Sequence, residues 1–160
     1  MDFIVVGLLF SLFAVLIQDL KFRRIHVFLP ILIFILSILV FNRKGDLDAK
    51  IYLSNAVFFI IILGVLIVYM SLKNKKIINP FANYFGLGDL LFFLAVTPLF
   101  LTYNYILFFI ISMIFSIVMQ LLFKKIMKDN TVPLAGFSAL LLSLIVIKDL
   151  LFSFNKITVL

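Results

Sequence analysis

Asp19 and Asp89 are the side chains whose type and setting could do chemistry: each lies where an apolar stretch meets basic residues, and Asp89 closes the run Gly86-Leu87-Gly88-Asp89. A carboxylate at a helix centre in a bilayer costs about 2.5–3.5 kcal/mol on insertion scales, so retaining one calls for a reason. Catalysis by a pair is one. Two carboxylates close together in a low dielectric cannot both ionise cheaply and share one proton. The ionised member takes a proton from water and the other polarises a scissile carbonyl, which is aspartyl-protease chemistry. A site at the membrane edge suits it, because partial burial still admits water and an extended peptide. Gly86 and Gly88 would each cost about 1 kcal/mol relative to alanine inside a helix, so their place before Asp89 suggests a need for bare backbone. Close approach of a substrate strand would meet that need; so would a tight turn into a helix or small-residue helix packing.

Other chemistries have fewer footholds. The chain has no cysteine and no glutamate, so carboxylate chemistry must draw on seven aspartates: Asp2, Asp19, Asp46, Asp48, Asp89, Asp129 and Asp149. His26 is the single histidine and, without cysteine or glutamate nearby, makes a poor metal site; neither a metal nor an organic cofactor is expected. Asp129, beside Lys128 and before Asn130, reads as a cap or a solvated loop residue. Ser71 and Ser138 lack a base, because a serine–lysine pair needs an inward-facing lysine and the lysines lie near the ends of the apolar stretches. The 21 phenylalanines are spread along the chain and read as lipid-facing and packing residues.

The elements that must position the aspartates are membrane helices. With 66% hydrophobic and 13% charged residues and a mean hydropathy of +1.33, the chain has too little polar surface to cover a soluble globule. The pattern predicts an all-α, polytopic membrane protein with six transmembrane helices in a single domain over 1–160, at roughly Phe3–Ile17, Val27–Phe41, Ile51–Leu72, Phe85–Leu101, Ile106–Phe123 and Val132–Leu151. The first stretch is read as a helix and not a signal peptide: no basic region precedes it and no small-residue cleavage site follows.

The net charge of +7 resides in short connectors and points to topology and anionic lipid headgroups, not to nucleic acid. Lys21, Arg23 and Arg24 follow the first span, Lys73, Lys75 and Lys76 the third, and Lys124, Lys125 and Lys128 the fifth, which makes these connectors cytoplasmic. The others hold Arg43, Lys44 and Lys50 offset by Asp46 and Asp48, or the uncharged Thr102-Tyr103-Asn104. Both termini are then expected outside the cytoplasm. Asp19 and Asp89 share the cytoplasmic depth, with Asp46, Asp48 and Asp149 on the opposite side.

Asp19-Leu-Lys21-Phe-Arg23-Arg24-Ile25 resembles the first aspartate motif of the type IV prepilin peptidases, membrane aspartyl proteases of the glycine-x-glycine-aspartate type, and Gly86-Leu-Gly88-Asp89 resembles their second. Val132-Pro133-Leu134-Ala135-Gly136 is similar to the segment that opens the family's last helix. Three positions differ: the family usually continues Ile-Pro-Asn where this chain has Ile25-His26-Val27, and carries lysine where it has Leu91. The resemblance implies an endopeptidase of a bacterial or archaeal cytoplasmic membrane that removes the basic leader of prepilin-like membrane proteins at the cytoplasmic face. It implies Asp19 and Asp89 as catalytic residues, Gly86 and Gly88 at the substrate backbone, and Lys21 or Arg23 tuning the pair. With 18 residues ahead of Asp19 and no cysteine, the chain looks like the peptidase core without the family's N-terminal methyltransferase region. Presenilin-like proteases share only the glycine-x-glycine-aspartate element.

Two other classes use the same residues. A small six-helix transporter would bind a cation or relay protons through Asp19 and Asp89, but such a site belongs near the midplane. A non-catalytic assembly subunit would leave the pair without chemistry.

Overall fold

A computed structural model describes residues 3–43, 48–74, 86–123, 132–152 and 156–159. The aspartates Asp2, Asp46 and Asp129, the expected connector cations Lys44, Lys75, Lys76, Lys124, Lys125 and Lys128, and Phe85 at the expected start of the fourth span lie outside the described residues.

The protein is all-helical, with no β-strand among the described residues. In chain order the helices are α1 (Phe3–Phe22), α2 (Phe28–Asn42), α3 (Lys50–Asn74), α4 (Leu87–Ala95), a 3-10 turn η1 (Thr97–Leu99), α5 (Thr102–Phe123) and α6 (Leu134–Leu151). Each of the six predicted apolar stretches thus contains a helix. Four of them, α1, α3, α5 and α6, are long and apolar enough to cross a membrane; α2 and α4 with its 3-10 turn are shorter. These helices are apolar on nearly every face, as expected where one side meets protein and the other meets lipid. Phe3, Phe10 and Phe13 on α1 and Leu121 and Leu122 on α5 are exposed in this way.

Boundaries shift where the backbone has a local reason. Helix α1 runs past Ile17 to Phe22, placing Asp19 and Lys21 inside the helix, and ends at Arg23, whose φ of 54° is left-handed. There the Arg23 N–H donates to the Asp19 carbonyl at 3.1 Å. Asp48 opens α3 by accepting the Lys50 N–H at 2.9 Å. Thr102, Tyr103 and Asn104, predicted as a connector, form the first turn of α5 instead.

The predicted stretch Phe85–Leu101 is not one helix, because Pro98 interrupts it: α4 ends at Ala95, the 3-10 turn follows, and Phe100 is extended. In lipid the carbonyls freed by such a break need partners. Asn55 on α3 supplies them, its Nδ2 donating to the Thr97 and Phe100 carbonyls at 2.9 Å each. The Leu99 carbonyl accepts the Val159 N–H at 2.9 Å, and Phe100 forms an isolated antiparallel bridge with Thr158.

Helix α1 packs most extensively against α6 and α2, α5 lies against α6, and α2 crosses α4 and the 3-10 turn. Ala135, Gly136, Ser138 and Ala139 keep the start of α6 slim, as close helix approach in membranes requires. Helix α3 is peripheral and buries only Asn55 and Phe59. An aromatic core joins α3, α4 and α5, with Phe93 and Phe109 edge-to-face at 5.1 Å between centroids and Phe100 stacked on Phe108 at 4.8 Å. Tyr105 keeps its hydroxyl satisfied inside this core by donating to the Phe93 carbonyl at 3.0 Å.

Candidate active site

Asp19 sits in the last turn of α1 and is 6% exposed; Asp89 sits in the first turn of α4 and is half-buried. The two meet at the opening turn of α6. The Gly136 N–H donates to Asp19 Oδ2 at 2.7 Å, and the Ala135 N–H donates to Asp89 Oδ1 at 2.8 Å. These are N–H groups of a helix's first turn, which have no partner within their own helix and sit at its partially positive end. Neighbouring peptide groups thus hold carboxylates that come from helices far apart in sequence, close enough for the charge of Asp19 to bear on Asp89.

The local sequence explains why this turn is available. Pro133 occupies the position before the first helical residue, where a missing N–H costs nothing, and its carbonyl accepts the Phe137 N–H at 3.1 Å. Gly136 faces Asp19 so closely that a Cβ there would lie 3.0 Å from both Asp19 Cβ and Asp19 Oδ2.

The glycines before Asp89 have occupied surroundings. Gly86 caps α4 with extended backbone, and a Cβ on it would lie 2.9 Å from Asp89 Oδ2. A Cβ on Gly88 would lie 3.1 Å from Ile25 Cδ1 and 3.2 Å from Ile25 Cβ. The segment after Asp19 therefore folds back onto the one before Asp89, and Gly88 lets it do so.

Of the two cations expected to tune the pair, Arg23 bears on Asp19 as a favourable charge. Lys21 is exposed, with its Nζ 5.2 Å from the centroid of the Phe22 ring. Beyond them a cleft of about 380 Å³ flanks the Asp19 end of α1, lined by Gln18, Phe22, Arg24, Ile25 and His26. The exposed His26 donates its backbone N–H to Gln18 Oε1 at 3.1 Å.

Two features escaped the sequence. Ala135 and Gly136 act through backbone N–H groups, which leave no side-chain signature; the run Pro133-Leu134-Ala135-Gly136 was the available signal. Asp149 is 2% exposed and fully engaged, accepting from Thr158 N and Thr158 Oγ1 at 2.7 Å each, Ile157 N at 3.0 Å and Lys148 Nζ at 2.8 Å. It stands 14 residues, about 21 Å of helix, from Ala135. It ties residues 156–159 to the far end of α6 and belongs to no site.

No protein-family model, curated protein or solved structure matches the chain.

Proposed function

We propose that the protein is a membrane aspartyl endopeptidase of the type IV prepilin peptidase kind, with Asp19 and Asp89 as the catalytic pair. One observation carries the reading: two carboxylates from α1 and α4 are gathered onto successive N–H groups of α6, one buried and one half-buried. A solvated interfacial aspartate or a loop cap would have no reason to be brought to another at such separation in sequence. A transport site at the midplane is disfavoured by position, since Asp19 ends α1 and Asp89 begins α4.

In this mechanism each carboxylate rests one oxygen on α6, and the Gly86 backbone N–H also donates to Asp89. The pair holds a single proton; the ionised member draws a proton from a water placed between them, and the protonated member donates to the scissile carbonyl as the tetrahedral intermediate forms. Asp89, the more open of the two, faces the side from which water and peptide arrive. Gly86 and Gly88 border that approach, and Arg23 offsets the charge on Asp19.

The substrate class is a prepilin-like membrane protein with a short basic leader, cut at the cytoplasmic face of a bacterial or archaeal cytoplasmic membrane. All six helices cross the bilayer in this reading, with α2 and α4 as short spans, the basic connectors against anionic headgroups, and both termini outside.

The test is cleavage of a co-expressed prepilin-type substrate in membranes by the parent chain, Asp19→Asn and Asp89→Asn, followed by gel shift and N-terminal sequencing of the product. Loss of cleavage in both variants at unchanged protein level is the expected result. A parent chain that cuts no prepilin-type substrate, or a variant that cuts as the parent does, refutes the proposal.

A further inference from the structure

We propose that the opening turn of α6 is a positioning clamp for the aspartate pair, and that Gly136 is its positioning residue, required to be bare so that Asp19 can seat. The proposal deepens the proteolytic reading and rests on it for its kinetic test alone.

Three observations carry it. First, the clamp touches both carboxylates with adjacent peptide groups, Ala135 N–H on Asp89 and Gly136 N–H on Asp19, at 2.8 and 2.7 Å. Because neighbouring peptides of a helix are fixed relative to one another, the turn sets the separation and orientation of the two acids as one piece. Arg23 and Gly86, which also act on the two acids, belong to the segments that carry them and so cannot set one acid against the other. Second, the space at Gly136 is filled by Asp19 itself, with Cβ and Oδ2 each 3.0 Å from where an alanine methyl would stand. Asp19 Cβ is attached to the backbone of α1 and cannot swing aside as the end of a flexible side chain would. An added methyl must therefore displace Asp19 or part α1 from α6. Third, the demand is local. Gly64 on α3 has no atom within 4 Å of its would-be Cβ, and Gly7 on α1 has only ordinary contacts at 3.6 Å or more, with Leu36. The glycines of this chain are not uniformly tight; the tight ones surround the pair.

Positioning of this kind acts on the chemical step more than on binding, and a displacement of about 1 Å in a catalytic group can cost about 100-fold in rate. Gly136→Ala is expected to lower kcat at least tenfold with KM within twofold of the parent. Gly64→Ala should leave both constants unchanged. Val146→Ala, a cavity at the far end of α6, should lower stability in detergent while sparing kcat, which separates positioning from general loosening of the α1–α6 packing.

A second readout does not depend on proteolysis. The chain has no cysteine, so Asp19→Cys with Asp89→Cys places the only two thiols at the pair. A short bifunctional thiol reagent should cross-link them in membranes, and adding Gly136→Ala should cut the yield severalfold, because the Cβ contact is retained in the cysteine background. Where Gly136→Ala fails to accumulate, Ala135→Pro replaces it: proline is tolerated in a first turn, and it takes away the N–H that holds Asp89 and puts ring carbon in its place. It should lower kcat in the aspartate background. Parent-like kcat and cross-linking in Gly136→Ala, or parent-like kcat in Ala135→Pro, overturn the clamp. If the parent cleaves no substrate, the proteolytic reading fails and cross-linking alone decides the clamp.

Discussion

The break between α4 and α5 gives the sharpest test of how this chain satisfies its backbone. Asn55 is fully buried on α3, and its Nδ2 donates to the Thr97 and Phe100 carbonyls at 2.9 Å each, while its Oδ1 has no partner among the described residues. Hydrogen bonds between membrane helices average about 0.6 kcal/mol and reach about 1.7 kcal/mol, so the two together contribute about 1.2–3.4 kcal/mol. Removing the amide also removes an unpaired buried oxygen, which returns part of that, since a buried unsatisfied group costs about 1–3 kcal/mol. Asn55→Ala should therefore destabilise by about 1–2 kcal/mol. Asn55→Asp keeps the shape and turns the donor into an oxygen facing two carbonyls; even when protonated it can donate to one of them only. It should be worse than alanine, because it must either bury a charge that faces two carbonyls or be held protonated to donate to one of them. The assay is reversible unfolding in mixed micelles, monitored by helical circular dichroism. Aspartate as stable as alanine, or alanine as stable as the parent, would show that water or a rearranged backbone serves these carbonyls and that the amide geometry does not matter.

Other expectations concern packing and the tail. Asp149→Ala strips the acceptor from the Ile157 and Thr158 N–H groups and from the Thr158 hydroxyl, so residues 156–159 should become severalfold more sensitive to limited proteolysis; unchanged sensitivity refutes the anchor. Gly88→Ala meets Ile25 at 3.1–3.3 Å and should destabilise, with Ile25→Ala restoring part of the loss in the double variant; additive losses would refute the contact. Phe93→Ala removes a ring with neighbours at Phe59, Phe92, Phe108 and Phe109 and should cost about 3–5 kcal/mol in the same unfolding assay, the largest loss among these variants.

Hydropathy alone placed a helix in each of the six stretches, because a run such as Phe3–Ile17 is apolar almost throughout and length is its main signal. The same uniformity hid which face points inward. Nothing in α3 distinguishes buried Phe59 from exposed Ile60, and only the structure separates them. Asp19 and Asp89 were legible because a charge in an apolar stretch stands out. Their joint docking on α6 was not, since Ala135 and Gly136 contribute peptide groups common to every residue. The span Phe85–Leu101 was drawn straight through Pro98, which breaks it, and the remedy lies 43 residues upstream in an asparagine, a pairing that no local pattern encodes. Asp149, read only as lying on the side opposite the pair, holds residues 157 and 158 through bonds that no local pattern announces.

The order in which the ribosome delivers these parts has a consequence for the living chain. Asp19 emerges 117 residues ahead of Gly136, whose N–H receives it. At synthesis rates of about 5–20 residues per second, that carboxylate waits about 6–23 s before its partner exists. During the interval α1 holds an acid whose partner on α6 has not yet been made, next to Lys21, Arg23 and Arg24. A chain halted between Asp89 and Pro133 carries both aspartates without the α6 N–H groups that hold them. Helix α6 is thus the element that brings the two aspartates together, and a chain released before it leaves them apart.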